Sequence, residues 1–219
     1  MRDVTAVWPG LAEVIRRLDL RLVGIAGAPG SGKSTLARSV AASLEDSFVL
    51  STDDYYLPKA QRGTAFRSSH DLGDLVSALD RIRSGRGPLT VQRFSGEIDD
   101  RVAPVVLERI PAHVLLEGFA LGRRTDGYDA ILERLDLLVF LEVDERVAKQ
   151  RRFAREDELR ARGGGFSERE MQRFWDEVLE PGLRQWLDDA RAAADVEIEP
   201  DTGVVRTSTE RVFAALGHR

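Results

Sequence analysis

The 219-residue chain contains no cysteine. Disulfide bridges and thiolate metal sites are therefore excluded, and this composition fits a reducing cytoplasm. The sequence also lacks an uncharged apolar run long enough to span a bilayer, and its beginning, MRDVTAVWPGLAEVIRRLD, contains no signal-peptide core. We expect a cytoplasmic protein without a membrane partner.

Neither sign of charge is in large excess, since 32 basic and 37 acidic residues give a formal net charge of −5. This balance argues against a general nucleic-acid-binding protein, although a local basic cluster could still bind phosphates. The N-K-x-D stretch with which switch GTPases read their base is also missing. The length suits a single domain over residues 1–219, as a monomer or homodimer, and leaves little room for the further domain of a remodelling ATPase.

Apolar runs alternate with helical segments along the chain. Such nearly continuous runs are typical of strands that are buried on both faces of a parallel sheet. The runs are 21–26, 48–52, 113–118, 135–143 and the weaker 196–199. Amphipathic spacing predicts helices over 11–19, 36–44 and 71–83, and a capping box predicts another that begins at Ser167. We predict an α/β fold with a mainly parallel five-stranded sheet and helices on both faces.

Two stretches fit this alternation poorly. Residues 54–71 are polar and irregular, and residues 84–104 contain a short strand at 89–94 followed by a charged loop. Loops of this size in a compact domain often bind substrate. We therefore predict that both stretches bind a substrate.

The stretch GAPGSGKS meets the pattern G-x-x-x-x-G-K-[ST] with Gly27, Gly32, Lys33 and Ser34. A predicted strand before it and a helix after it supply the required context. Backbone N–H groups of such a loop surround an anion, the lysine reaches the β- and γ-phosphates, and the serine hydroxyl binds Mg²⁺. The motif predicts a nucleoside triphosphate site in a three-layer P-loop NTPase fold. Its members are Gly27, Ala28, Pro29, Gly30, Ser31, Gly32, Lys33, Ser34 and Thr35.

Carboxylates follow two of the other predicted strands. Asp53 and Asp54 end the second apolar run, and Glu117 ends the third. Because ligands collect at the carboxyl ends of parallel strands, Asp53 could accept a proton from an attacking hydroxyl or help to hold the metal with Ser34 and Glu117. An Asp-rich turn and an ordinary surface glutamate remain alternatives. We prefer Asp53 over Asp54 because it lies closer to the strand.

The stretch GIAGAPGSGKSTLA followed by STDDYYLP resembles the P-loop small-molecule kinases of the uridine kinase, pantothenate kinase and phosphoribulokinase group. Further segments are similar, in this order, to the D-glycerate 3-kinase family. They are RG at 62–63, SHDL at 69–72, DDRVAP at 99–104, LLEGFALG at 115–122 and ELRARGGGFSEREMQRF at 158–174. The resemblance covers residues 21–187. Where this family usually has an aromatic–Asp pair followed by Lys, Phe94 is followed by Ser95.

This resemblance implies ATP- and Mg²⁺-dependent phosphorylation of a small hydroxylated molecule, with D-glycerate as the leading acceptor. It implies that Asp53 is the base and that Lys33 acts on the phosphates. His70 and Asp71 would line the acceptor pocket, and Arg152 would lie on a helical lid at about residues 150–166. A uridine or pantothenate-type kinase and a P-loop ATPase or GTPase-like switch remain the alternatives.

Arginines are frequent in and around this predicted lid. The run Arg151, Arg152, Arg155, Arg160 and Arg162 is either a solvated helix face or a set of cations that closes on the transferred phosphate, with residues 163–165 as a hinge.

The acceptor side offers both cations and aromatic rings. An anionic acceptor needs a cation, which Arg62, Arg67 or Arg101 could supply. A nucleoside could instead stack on Tyr55, Tyr56 or Phe66. The predicted substrate-binding residues are Asp53, Tyr56, Arg67, His70, Asp71 and Arg101.

Overall fold

The computed structural model describes residues 9–62, 70–124, 127–207 and 209–215. In this part of the chain the strands are β1 (Leu22–Gly27), β2 (Ser47–Ser51), β3 (Leu89–Ser95), β4 (Asp100–Leu107), β5 (His113–Glu117), β6 (Leu137–Leu141), β7 (Val196–Glu199) and β8 (Val204–Thr207). Six of them form one sheet in the order β2-β5-β1-β6-β7-β8. The other two, β3 and β4, pair antiparallel as a separate hairpin.

The helices in the same part of the chain are α1 (Pro9–Arg17), α2 (Lys33–Ala42), α3 (Leu72–Ser84), α4 (Asp129–Leu132), α5 (Glu145–Ala161), α6 (Glu168–Phe174), α7 (Glu180–Ala193) and α8 (Glu210–Ala215). The predicted capping box at Ser167 is present, because its hydroxyl accepts from the backbone of Glu170 and the Glu170 carboxylate accepts in return. A turn of π-helix, Trp175–Leu179, joins α6 to α7, and Pro181 lies in the first turn of α7. No described helix is long and apolar enough to cross a membrane.

The main sheet is covered by helices on both faces. Alternate residues of β1 show this directly, because Leu22 and Ala26 join one core while Val23 and Ile25 join the other. The first core includes side chains of α3 and α7, and the second includes side chains of α1, α2 and α8. The predicted α/β architecture, a mainly parallel sheet with helices on both faces, is therefore confirmed.

The sheet contains one strand more than the sequence predicted. All five predicted strands are present and run parallel to one another. The additional strand, β8, is an antiparallel edge strand next to β7. This strand has only four residues and none of them is buried, so its sequence contains no long apolar run that would predict it.

The prediction of a charged loop after residue 94 is wrong for its second half, because the chain from Asp100 onward forms β4 and pairs with β3. Pro104 and exposed valines hide this strand in the sequence, since Val102 and Val106 face solvent instead of a core. The predicted substrate-binding segment at 84–104 therefore consists mainly of the β3–β4 hairpin.

Candidate active site

The phosphate loop connects the end of β1 to the start of α2. Gly27, Gly30 and Gly32 have φ angles of 147°, 87° and 97°, values that side-chain-bearing residues rarely adopt. A Cβ atom at Gly30 would overlap the carbonyl oxygen of Ala148, because α5 packs directly against the loop. The loop is thus shaped by its glycines and braced by a neighbouring helix.

Lys33 begins α2, and its side chain is turned back across the loop. Its Nζ donates to the carbonyl oxygen of Ala28 at 2.8 Å, and the residue is buried. Burial lowers the pKa of Lys33, while the carboxylates of Glu117 and Asp53 oppose that shift. The lysine therefore lies close to both of the predicted carboxylates.

Glu117 is the last residue of β5, which lies between β1 and β2. It is aligned with Ile25 on one side and Ser51 on the other, and only 8% of it is exposed. This register brings the end of β5 next to the phosphate loop and next to the turn that follows β2. The sequence-based placement of Glu117 at the tip of a central strand is accurate.

Asp54, the neighbour of the predicted base, is used for structure. Its carboxylate accepts from the backbone N–H of Phe94 at 3.1 Å and pairs with Arg93 at 2.8 Å. It also caps the short 3-10 turn Thr52–Tyr55 by accepting from the N–H of Ser51 at 3.4 Å. Asp54 therefore ties this turn to β3.

Asp53 has a different environment from Asp54. Its Oδ1 atom is buried and has no hydrogen-bond partner among the described residues. Burial and, next, the Glu117 carboxylate raise the pKa of Asp53 to about 6, whereas Lys33 opposes the shift. A carboxylate with an unused acceptor and a raised proton affinity is suited to receive a proton.

The donors present fit a magnesium ion. No group of three or more His, Cys, Asp or Glu side chains in the described ranges could hold a metal by itself. Mg²⁺ typically takes one or two carboxylates and fills its remaining positions with waters and phosphate oxygens. Glu117, the Ser34 hydroxyl and the unpartnered Oδ1 of Asp53 could supply such a partial ligand set.

Aromatic rings line the side of Asp53 that faces the hairpin. The Tyr56 ring stacks on His70 with 4.1 Å between centroids and packs at 5.1 Å against Phe94. The Nδ1 of His70 lies 2.7 Å from the hydroxyl of Tyr128. Burial, with a smaller contribution from Arg123, lowers the pKa of His70 to about 3, so this ring is neutral. His70 is a packed part of the wall.

Arg101 and Asp71 lie together beside Tyr56. The Nε of Arg101 donates to the carbonyl oxygen of Tyr56 at 2.5 Å, and its Nη2 lies 3.7 Å from the carboxylate of Asp71. Asp71 caps α3 by accepting from the N–H of Asp74 at 3.0 Å. Asp71 therefore caps α3 and pairs with Arg101, and Arg101 holds the backbone of Tyr56 by a hydrogen bond.

Arg62 supplies a second guanidinium on this side. It pairs with Asp99 at 2.7 Å and lies over the rings of Phe94 and Tyr56. Its Nε atom and the Nη2 atom of Arg101 are buried without a hydrogen-bond partner among the described residues. Two further predictions, Arg67 and Phe66, lie outside the described residues.

The predicted lid corresponds to α5 and to residues 163–165 after it, which we call the glycine turn. Arg152 forms an ion pair with Glu156 on the same helix. Arg155 is exposed, and its charge adds to burial in lowering the pKa of Lys33 and opposes the raised pKa of Asp53. The sequence indicated the run of arginines but gave no basis for preferring Arg155, whose charge acts on both Lys33 and Asp53.

Comparison with known proteins places this geometry in a family. The family model described as an AAA domain matches residues 26–164. A uridine kinase from Deinococcus deserti is 31% identical over 207 aligned residues, and the match covers 89% of this chain and 94% of that protein. A uridine kinase from Schizosaccharomyces pombe is 31% identical over 158 residues, 65% of this chain, and the match covers only 33% of that longer protein.

Among solved structures, the D-glycerate 3-kinase from Cryptococcus neoformans superposes with a TM-score of 0.63. The alignment covers 92% of this chain and 97% of that one at 16% identity. At this identity the likeness establishes the shared fold only.

Proposed function

We propose that this protein transfers the γ-phosphate of ATP to a hydroxyl of a small metabolite. The chain belongs to the AAA domain family and is a P-loop kinase of the uridine kinase and glycerate kinase-like superfamily. One observation carries the proposal: Lys33, Asp53 and Glu117 converge at the phosphate loop, and Asp53 has a buried, unused acceptor atom. A nucleotide-hydrolysing switch has no need of a carboxylate in this state next to an aromatic-lined wall.

In the proposed reaction the acceptor oxygen forms a bond to the γ-phosphorus while the bond from that phosphorus to the β–γ bridging oxygen breaks, and ADP leaves. The hydroxyl proton passes to the Asp53 carboxylate, whose pKa of about 6 leaves it ionised at neutral pH. Lys33 exchanges its bond to Ala28 for the phosphate oxygens. Mg²⁺, held by Ser34 and Glu117, would neutralise charge on the phosphates.

The acceptor that we propose first is D-glycerate. Arg62 Nε and Arg101 Nη2 are buried donors without a hydrogen-bond partner among the described residues, and both side chains contact Tyr56. They support an anionic group, because a carboxylate accepts readily from a guanidinium group. The ordered sequence segments shared with D-glycerate 3-kinases point to the same acid. The missing aromatic–Asp pair at Phe94 counts against it.

The second candidate is a nucleoside such as uridine. It is favoured by the two curated relatives and by the aromatic surfaces of Tyr56 and Phe94, on which a base could stack. With a nucleoside as acceptor, Arg62 and Arg101 would keep only their protein partners Asp99 and Asp71, whereas D-glycerate would add a carboxylate; an experiment can use this difference.

We would measure ADP release with D-glycerate, uridine, glycerol and no acceptor. Glycerol is the matched control because it keeps the hydroxyls and lacks the carboxylate. Arg101→Gln should raise the KM for D-glycerate ~10-fold or more and leave glycerol turnover nearly unchanged. Arg109→Gln, an exposed arginine after the hairpin, should change neither value. Faster turnover of uridine than of D-glycerate would replace the first candidate with the second, and ADP release that no acceptor stimulates would refute the kinase proposal.

A further inference from the structure

Glu156 is a buried carboxylate on a helix that is otherwise largely solvated. Only 1% of the residue is exposed, and Ala148 is the other fully buried position of α5. An ionised carboxylate that is removed from water destabilises the fold unless charged and hydrogen-bonding partners surround it. Glu156 must therefore have charged or hydrogen-bonding partners that compensate for its burial.

The two oxygens of Glu156 bind groups on opposite sides. Oε2 pairs with the guanidinium of Arg152, one turn earlier on α5. Oε1 accepts from the backbone N–H of Phe166 at 2.6 Å. A Cβ atom at Gly165 would lie 2.6 Å from this same oxygen, so only a glycine lets the turn approach so closely. Glu156 thus fixes the glycine turn to Arg152.

The glycine turn is also bound to the tip of the β3–β4 hairpin. The N–H of Gly165 donates to the carbonyl oxygen of Glu97 at 3.3 Å. A Cβ atom at Gly164 would lie 2.7 Å from that carbonyl, so the two backbones are in direct contact. The hairpin carries Phe94, which packs against Tyr56 on the acceptor side.

The other end of this set of contacts reaches the phosphate loop. A Cβ atom at Gly30 would lie 3.0 Å from the backbone nitrogen of Arg152 and would overlap the backbone of Ala148. The backbone that carries Arg152 is therefore packed on the loop that surrounds the phosphates. Continuous contacts run from the loop through Arg152, Glu156 and Gly165 to the hairpin.

We propose that Glu156 is a positioning residue that couples the β3–β4 hairpin to Arg152 and the phosphate loop, so that nucleotide binding and acceptor binding favour each other. The carboxylate touches neither substrate. It acts through Arg152, whose direction it sets, and through the glycine turn, whose contact with Glu97 it maintains. This assignment rests on the proposed function in so far as the hairpin borders the acceptor.

The first test needs no acceptor. Hydrogen–deuterium exchange of the hairpin peptides is compared with and without a non-hydrolysable ATP analogue and Mg²⁺. The analogue should slow exchange in the hairpin at least ~3-fold in the wild type and in Glu158→Gln, an exposed glutamate on the same helix. In Glu156→Gln this protection should disappear while the phosphate loop is still protected. Unchanged hairpin exchange in the wild type, or full protection in Glu156→Gln, would overturn the proposal.

The second test uses kinetics with the accepted substrate. Glu156→Gln should raise the acceptor KM and lower kcat ~10-fold, yet change the Kd for the ATP analogue less than ~3-fold. Loss of analogue binding together with activity in a folded variant would indicate a structural role and contradict the assignment. If Glu156→Gln does not fold, Arg152→Lys, which keeps the charge but changes the geometry, must show the same loss of hairpin protection. If no acceptor is phosphorylated, the proposed function fails, and the exchange experiment still decides whether Glu156 couples the two regions.

Discussion

Replacing Asp53 by asparagine should make the protein more stable and less active at the same time. Burial next to Glu117 raises the pKa of Asp53 from 3.8 to about 6, which means that the fold disfavours its ionised form. A site that keeps such a carboxylate ionised at neutral pH does so at a cost to stability, and that cost is recovered when the charge is removed. Activity should fall ~10²-fold or more because the proposed proton acceptor is lost.

The size of the gain follows from the pKa shift. Below pH 3.8 the carboxyl is protonated in both the folded and the unfolded chain and costs nothing. As the pH rises, the unfolded chain ionises first, so the folded state loses stability until the folded group also ionises near pH 6. The rise of the Asp53 pKa from 3.8 to about 6 corresponds to a loss of about 3 kcal/mol in the free energy of unfolding at pH 7.5 and to roughly half of that at pH 5. Since Lys33 loses a neighbouring charge and the amide must still be accommodated, we expect a gain of about 1–3 kcal/mol at pH 7.5.

Urea unfolding of the metal-free, nucleotide-free protein would measure this difference. The buried tryptophans Trp175 and Trp186 supply the fluorescence signal. Asp188→Asn, the same chemical change at an exposed position, is the control and should leave stability within about 0.5 kcal/mol of the wild type. An Asp53→Asn variant that is no more stable than the wild type at pH 7.5, or whose advantage is the same at pH 4 and pH 7.5, would refute the reasoning.

Asp54→Asn should act in the opposite direction to Asp53→Asn, because it breaks the ion pair with Arg93 and leaves a part-buried guanidinium unpaired. We expect a loss of about 1–3 kcal/mol in urea unfolding and a raised KM for the acceptor with the KM for ATP unchanged. Gly30→Ala should abolish binding of a fluorescent ATP analogue, since its Cβ would collide with the backbone of Ala148 and the residue has a positive φ. Gly96→Ala, which has open space around its Cβ position, should bind the analogue normally; equal binding by both variants would contradict the proposed packing of α5 on the loop.

The central part of the site could be predicted because its signals are local. The phosphate loop is one contiguous pattern, and β1, β2 and β5 are apolar runs that end in the residues of interest. Parallel strands then bring Asp53 and Glu117 to one edge of the sheet by topology alone. The register of Glu117 with Ser51 confirms that this placement follows from the strand ends.

The rest depends on contacts between distant residues, which the sequence does not reveal. Glu156 occurs in a strongly charged helix, where a solvated face is the ordinary interpretation, and its burial comes from the glycine turn folded against it. The strand β4 has exposed valines and a proline, so it shows no buried periodicity. The packing of the His70 ring on Tyr56 and its contact with Tyr128 also join residues that are far apart in the sequence, while its predicted contact with substrate stays a prediction.

The adjacent aspartates after β2 explain how the proposed base and the proposed acceptor side are kept in a fixed relation. One short capped turn carries both, and their carboxylates point to different partners: Asp54 is bonded to the hairpin strand β3, whereas Asp53 faces Lys33 and Glu117. The hairpin, which borders the proposed acceptor side, is thus anchored through Asp54. This residue is next to Asp53, the group proposed to take the proton of the acceptor hydroxyl. Because favourable contacts of Asp54 hold the turn, the fold can tolerate the unfavourable ionisation of Asp53. Stability and chemistry are divided between two neighbouring carboxylates, which is why the two asparagine variants should have opposite effects on the free energy of unfolding.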